Sequence, residues 1–170
     1  MRSALALIIC VSLLLVTGCA GNLRVSDNSL RLTGTERVVL QEIRFDYGQW
    51  TNQKTSLMAN ARKSEAEWGA RIRAGYENAS RELGIDTRSG PAVPLTIEVT
   101  DLDPGSVVKR LVFQSSSGRA TVLIDASCEG RGSLQAGGSL EEHQVFATFN
   151  GVLEDLGAAI ARAVASRRRG

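Results

Sequence analysis

The stretch from Thr55 to Leu83, TSLMANARKSEAEWGARIRAGYENASREL, decides how the rest of the chain folds. Apolar side chains recur along it at steps of three, four or seven residues, which is the spacing of one stripe along an α-helix. The members of this stripe are Leu57, Ala61, Trp68, Ile72, Tyr76, Ala79 and Leu83. Gly84 follows, and glycine readily takes the left-handed conformation that ends a helix. The pattern predicts a long amphipathic helix over residues 55–83 with its stripe in a core.

Segments with strand patterns lie on both sides of this helix. Residues 36–47 are predicted to be a strand, because apolar and charged side chains alternate with a period of two over residues 42–47. Apolar and polar side chains alternate in the same way over residues 95–100. Residues 107–113 are β-branched and apolar on both faces, which suits a covered strand, and residues 119–130 alternate again. Asp103-Pro104-Gly105 favours a turn, because proline presets φ and glycine permits a positive φ. These segments predict one strand before the helix and three after it.

The C-terminal third of the chain contains a glycine-rich stretch and a second helical pattern. Residues 130–138 are predicted to be loose, with at most a short edge strand. Ser139 followed by Glu142 has the form of a capping box, and apolar residues then recur at steps of three and four. The pattern predicts one helix over residues 140–166. A break at Gly151 is the alternative, because Asn-Gly is a strong turn dipeptide.

These elements predict an α/β fold of the α+β type, built as a small mixed sheet of about four strands. Two long helices pack on one face of the sheet, and the element order is β-α-β-β-β-α. The chain has 170 residues, of which 43% are hydrophobic and 22% charged, and this suits a single globular domain, assigned to residues 36–166.

The N-terminal residues have the layout of a bacterial lipoprotein signal. Arg2 precedes an apolar run over residues 4–16, which is shorter than the roughly 20 residues of a membrane-spanning helix. The run ends in Val16-Thr17-Gly18-Cys19, which resembles the lipobox of bacterial lipoproteins. The resemblance implies cleavage between Gly18 and Cys19 and acylation of Cys19. An ordinary signal peptide or an uncleaved N-terminal anchor is the alternative.

The segments outside the domain are assigned from the same signal. Residues 1–18 are predicted to be the signal peptide, and residues 19–35 a lipidated tether rich in small polar residues. Ala20 follows the lipidated cysteine, and by resemblance a residue other than Asp there favours the outer membrane, with the domain facing the periplasm. Residues 167–170 form a basic tail, in which Arg167 to Arg169 either complement the helix dipole or contact anionic lipid or glycan.

The chain has three cysteines and one histidine, which limits its chemistry. Cys10 leaves with the signal peptide and Cys19 is acylated, so Cys128 remains. Cys128 shares the apolar face of its strand with Val122, Ile124 and Ala126, and it is predicted to be a buried small hydrophobe. A reactive thiol working with His143 is the alternative.

No catalytic, cofactor or metal site is predicted. The sequence has no Walker loop, no G-x-S-x-G and no G-x-G-x-x-G motif, and His143 has no neighbouring cluster of metal ligands. Asp101 and Asp103 lie just before a Pro-Gly turn and are expected to shape it. The net charge of +2 gives no general field for binding nucleic acid.

Several short segments together resemble a family of small proteobacterial lipoproteins of unknown function. They are residues 96–106 (TIEVTDLDPGS), Arg110, Gly118-Arg119-Ala120 and Gly137-Gly138-Ser139. Members of this family resemble the N-terminal domain of the Tol-system propeller protein and the lipoprotein activators of penicillin-binding proteins. The family has a glycine-rich stretch after the arginine, where this chain has serines at residues 115–117. The resemblance implies a mixed sheet with two helices on one face and binding to other envelope proteins.

The function expected from the sequence is that of a lipid-anchored module at the outer membrane. It is predicted to bind or to act as a scaffold for periplasmic proteins without catalysing a reaction, and to contact the membrane through its lipid. Two alternatives remain at this point: a thiol-dependent enzyme or redox protein that uses Cys128 with His143, and a carrier of lipid or another small ligand.

Overall fold

The computed structural model describes residues 22–51, 54–104, 120–140 and 149–166. The described elements are β1 (Asn22–Ser26), β2 (Arg37–Phe45), α1 (Thr55–Glu82), β3 (Ala92–Asp103), β4 (Ala120–Cys128), β5 (Gly132–Leu140) and α2 (Phe149–Ser166). The predictions for Gly18, Cys19, the strand at 107–113, His143 and the arginines at 167–169 fall outside the described residues.

The described strands form a single mixed sheet in the order β1-β5-β4-β3-β2. β2 and β3 run parallel because α1 connects them as a crossover, and every other neighbouring pair is antiparallel. β1 and β2 are the two edge strands. A register shift between Leu40 and Glu42 divides β2 into two halves.

The core lies between one face of this sheet and the two helices. Alternate residues of β3 and β4 are fully buried there, among them Leu95, Ile97 and Ile124. α1 contributes Ile72 to the same core, and α2 contributes Leu156, each with no exposed surface. The predicted fold class is therefore confirmed, although the described sheet has five strands.

α1 and α2 lie unusually close together because each has a glycine at the contact. A Cβ added to Gly75 would stand 1.8 Å from the carbonyl oxygen of Glu154, and one added to Gly157 would stand 2.1 Å from that of Ile72. No real Cβ approaches backbone so closely. The two glycines therefore fix how α2 is placed beside α1.

The predicted tether over residues 19–35 is wrong for residues 22–35, which belong to the folded domain. Residues 22–26 form β1 and pair with β5 along their whole length. Leu30 and Leu32 are only 4% and 8% exposed. Glu36 is buried as well, and its carboxylate lies 2.6 Å from a guanidinium nitrogen of Arg131. The segment is polar because it lies along a sheet edge and is held to β5 mainly by backbone hydrogen bonds.

The prediction of a loose stretch over residues 130–138 is also wrong, since residues 132–140 form β5 between β1 and β4. The period-two pattern was hidden because its helix-facing positions are occupied by Leu134, Ala136 and Gly138. A Cβ at Gly138 would stand 2.9 Å from Leu23 and 3.0 Å from Val152. Gly138 is therefore needed because α2 packs closely against β5, and it does not form a turn.

The second helix begins later than predicted. Ser139 lies in β5, where it pairs with Thr121, so it is not the N-cap of α2, which starts at Phe149. The alternative of a break at Gly151 is also wrong, because α2 continues through Asn150 and Gly151 to Ser166. The apolar spacing of this segment outweighed the turn propensity of its Asn-Gly dipeptide.

Candidate functional site

The candidate functional site is a groove between the free edge of β2 and the adjacent flank of α1, called here the β2–α1 groove. β2 is the last strand of the sheet, and no described strand pairs with its outer side. Its N-terminal half and the second half of α1 line a cavity of about 320 Å³. Its C-terminal half and the first half of α1 line a second cavity of about 510 Å³.

The larger cavity has an apolar floor and a charged rim. Ile43 and Phe45 of β2, both half-buried, form one wall. Ala66, Gly69 and Ala70 of α1, called here the small-residue patch, form the floor. The rim is formed by Arg62, Glu65 and Arg73. This combination of apolar floor and polar rim is typical of a surface that binds another macromolecule.

Side chains of α1 already occupy part of the free edge of β2. The guanidinium of Arg73 donates a hydrogen bond of 3.1 Å to the carbonyl oxygen of Leu40. The buried Tyr76 hydroxyl donates one of 3.4 Å to the carbonyl oxygen of Val38. Natural sheets protect their edges in this way against uncontrolled pairing. In β2 these two hydrogen bonds lie in the first half of the strand, whereas Ile43 and Phe45 of the second half line the larger cavity.

An aromatic cluster closes the end of the groove at the start of α1. The Tyr47 ring lies 4.8 Å from that of Trp50 between centroids, and the guanidinium of Arg62 stands 5.5 Å above the Tyr47 ring. The Tyr47 hydroxyl donates a 2.6 Å hydrogen bond to Glu65. Burial, and then this bond to a carboxylate, raise the pKa of the Tyr47 hydroxyl above its ordinary value. Tyr47 therefore stays protonated and holds Glu65 in place.

Within the described residues, Cys128 and the nearby Asp125 lie on opposite faces of β4. Cys128 is 2% exposed and faces the helices. Asp125 faces the other side of the sheet, where it accepts a 3.0 Å hydrogen bond from Gln135. His143 lies outside the described residues. Asp101 accepts hydrogen bonds from the backbone and the hydroxyl of Thr51 at 3.0 and 2.9 Å, so it shapes the loop before α1.

Sequence reasoning missed the groove because its residues resemble an ordinary solvated helix face. The signal that was present is the placement of the small-residue patch between two arginines on the flank of α1 beside the apolar stripe. In the described part of the chain, the His, Cys, Asp and Glu side chains form no group of three that could hold a metal ion, and no helix there is long and apolar enough to span a bilayer.

Another cavity, of about 730 Å³, lies at the opposite edge of the sheet, between β1 and the end of α2. Its walls include Leu23 and Val25 of β1 and Arg162 of α2.

Compared with known proteins, the chain matches no protein-family model, no curated protein and no solved structure.

Proposed function

We propose that the protein is a lipid-anchored cell-envelope module that binds a protein partner through the β2–α1 groove and does not catalyse a reaction. The observation that carries this proposal is the free edge of β2 beside a cavity of about 510 Å³ with an apolar floor and a charged rim. A strand edge offers backbone hydrogen bonds to another chain, and the neighbouring cavity offers places for its side chains.

The lipobox-like motif supports the location of this module. Cys19 precedes Asn22, the first residue of β1, by only three positions. Because an extended chain spans about 3.3–3.6 Å per residue, these positions bridge roughly 10 Å. A lipid on Cys19 therefore holds the domain against the membrane surface, and a signal of this kind favours the periplasmic side of the outer membrane.

The thiol alternative has less support, because a reactive thiol needs an exposed and electropositive site. Cys128 is buried on the helix-facing side of β4, where it packs as a small apolar residue. The carrier alternative needs an enclosed apolar cavity for its ligand. The larger cavity of the β2–α1 groove instead has Arg62, Glu65 and Arg73 around an open floor.

Photo-crosslinking in intact cells tests the binding function. A photoreactive amino acid replaces Ala66 on the groove floor, or Ala74, an exposed alanine of α1 that does not line the groove, in the full chain. We expect light-dependent adducts from position 66 at much higher yield than from position 74. Equal yields, or no adduct from either position, would contradict the proposed binding surface.

The anchor has its own test. The substitution Cys19→Ser is expected to abolish fatty-acid labelling of the protein and to release it from the membrane fraction. The substitution Cys10→Ser serves as the control, because it also removes a thiol near the N-terminus but leaves the motif intact. Labelling that persists in the Cys19→Ser protein would contradict the lipid anchor.

A further inference from the structure

Gly69 has no structural explanation within the described part of the chain. Gly75 and Gly157 are needed because a side chain at either would collide with the backbone of the neighbouring helix. A Cβ at Gly69 would meet only a ring carbon of Phe45, at an ordinary distance of 3.8 Å. Glycine within a helix costs about 0.5–1 kcal/mol relative to alanine. A small residue at this position therefore suggests close approach by something outside the chain.

The charges on the same flank of α1 are arranged so that this flank is complementary to the same flank of a second, antiparallel α1. Arg62 and Glu65 precede the centre of the small-residue patch, and Arg73 and Glu77 follow it. A second α1, antiparallel and centred between Gly69 and Ala70, would place its Glu77 opposite Arg62 and its Arg73 within one residue of Glu65. Symmetry repeats each pair. Opposite charges would then face each other at both ends of the contact, and such complementarity favours a specific partner.

The charges of β2 show the same property. Glu42 and Arg44 lie on one face of the strand, on either side of Ile43, and form a 2.6 Å ion pair within it. A second β2, antiparallel and centred on Ile43, would place its Arg44 opposite Glu42 and its Glu42 opposite Arg44. Cross-strand pairs of opposite charge stabilise an antiparallel ladder.

The backbone of β2 is oriented for this pairing. The amide of Asp46 donates to the carbonyl oxygen of Val99 in β3 at 3.1 Å. Because backbone groups of successive strand residues point to opposite sides, Ile43 and Phe45 turn theirs to the free edge. Two copies of Ile43 would exchange both of their backbone hydrogen bonds at the centre of the ladder.

The strand contact and the helix contact lie in the same stretch of the groove. The Arg73 side chain reaches the carbonyl oxygen of Leu40, and the Phe45 ring lies beside Gly69. Ile43 lies between Leu40 and Phe45 along β2, and the centre of the helix contact lies between Gly69 and Arg73 along α1. A ladder centred on Ile43 would also end near Leu40, where Arg73 already occupies the edge.

From these observations we infer that the partner in the β2–α1 groove is a second copy of this chain. The two copies pair antiparallel through the second half of β2 and pack α1 against α1 over the small-residue patch, about a two-fold axis perpendicular to the sheet. This inference rests on the proposed function, because it names the partner of the same groove. The product is one continuous sheet, which removes an exposed strand edge from each copy.

The arrangement is compatible with two lipid anchors in one membrane. A two-fold axis perpendicular to the sheet keeps Asn22 of both copies at the same height along that axis. The dimer can then lie with its sheet parallel to the membrane, with the two anchors at opposite corners. A parallel pairing of the two copies would not leave the charges of β2 opposite their complements.

Cysteine crosslinking of the full-length, membrane-anchored protein tests this inference. Ala70→Cys places a thiol beside the two-fold axis, whereas Ala74→Cys places one a helical turn further from the axis, at an equally exposed residue that does not line the cavity. We expect mild oxidation to give a reducible species of twice the monomer mass from Ala70→Cys, and roughly tenfold less from Ala74→Cys. Equal yields, or no such species, would overturn the inference.

Charge reversal supplies a matched test in the Ala70→Cys protein. Arg62→Glu alone and Glu77→Arg alone should each lower the crosslinking yield roughly tenfold, because like charges then face each other. The two changes together should restore the yield, since each copy again presents opposite charges. A double variant as weak as the single variants would overturn the proposed pairing.

A proline at the centre of the ladder tests the strand contact. Ile43→Pro removes an N–H that faces the free edge, so it should spare the pairing of β2 with β3 and abolish the dimer. Ile43→Ala keeps the N–H and should retain crosslinking within about threefold. If Ala66 gives photo-adducts with a different protein while Ala70→Cys gives no dimer, the second copy is excluded and the binding function stands.

Discussion

The two flanks of α1 both contain small residues, yet among the described residues only those beside α2 are covered. On the flank beside α2, Gly75 allows backbone contact, and the ion pair between Arg71 and Glu154, at 2.8 Å, lies at its outer border. On the flank beside β2, the small-residue patch forms the floor of a cavity of about 510 Å³. A glycine therefore marks an existing contact only where a side chain at its position would collide with a neighbouring element.

The flank of α1 beside α2 stabilises the fold, whereas the flank beside β2 remains available for binding. The α2 flank contributes buried side chains such as Ile72 and Ala79 to the core. The groove flank presents arginines and glutamates around its patch, and its fixed contacts with β2 include those made by Arg73 and Tyr76. Substitutions on the first flank should therefore change stability, and substitutions on the second should change association.

The largest effect is expected from Ile72→Ala, at the centre of the covered flank. Ile72 has no exposed surface, and truncating a buried isoleucine to alanine costs about 2–5 kcal/mol. Arg71→Ala, the neighbouring control, should change the unfolding midpoint far less, because its ion pair with Glu154 is exposed to solvent. Denaturant unfolding midpoints measure both, and the reverse order would mean that the flanks are assigned wrongly.

A smaller loss is expected from Gly75→Ala. The added Cβ would stand 1.8 Å from a carbonyl oxygen and 2.6 Å from the carbonyl carbon of Glu154, and backbone cannot rotate away as a side chain can. α1 and α2 must separate, so the free energy of unfolding should fall by about 1–3 kcal/mol. An unchanged unfolding midpoint would show that the helices lie further apart than described.

Tyr47→Phe should have a still smaller effect, at the open flank. It removes a hydrogen bond to a carboxylate, but the site is partly exposed, so we expect a loss of about 1 kcal/mol. The raised pKa of Tyr47 means that the unfolded chain loses this proton first, so the contribution is full below pH of about 10 and declines above it.

Urea unfolding of the native protein and of Tyr47→Phe at several pH values measures this difference. The gap in the free energy of unfolding should shrink as the pH rises above about 10. Glu65→Gln is the matched control, because it keeps an acceptor for the hydroxyl and removes the charge. A gap that is constant with pH would show that folding does not raise the pKa of the Tyr47 hydroxyl.

α1 could be predicted closely from the sequence, and β1 and β5 could not, for a physical reason. The stripe of α1 is long and one-sided, so residues 55–83 were predicted and Thr55–Glu82 were found. β5 has Gly137 and Gly138 where a strand usually has larger side chains, and at Gly138 the reason is that Val152 of α2 lies close above it. β1 is five residues long and held mostly by its backbone, which leaves little pattern in the side chains.

The candidate site was hidden for a related reason. The groove depends on the position of β2 at the edge of the sheet, and strand order follows from pairing between distant segments rather than from local spacing. Cys128 was predicted correctly as a buried residue, because its burial depends only on the alternation within its own strand. Features set by local periodicity were therefore predictable, and features set by the assembly of elements were not.

The smallest effect, and the opposite sign, is expected from Gly69→Ala on the groove flank. Since an added Cβ would meet only Phe45 at 3.8 Å, the methyl group fits, and alanine should raise the free energy of unfolding by about 0.5–1 kcal/mol. The measurement is denaturant unfolding at a protein concentration low enough for the chain to be monomeric. At high concentration the same methyl group would separate the two α1 helices and weaken the dimer. Stabilisation of the monomer together with weaker association would separate the two roles of this flank, whereas a destabilised monomer would show that Gly69 serves the fold as Gly75 does.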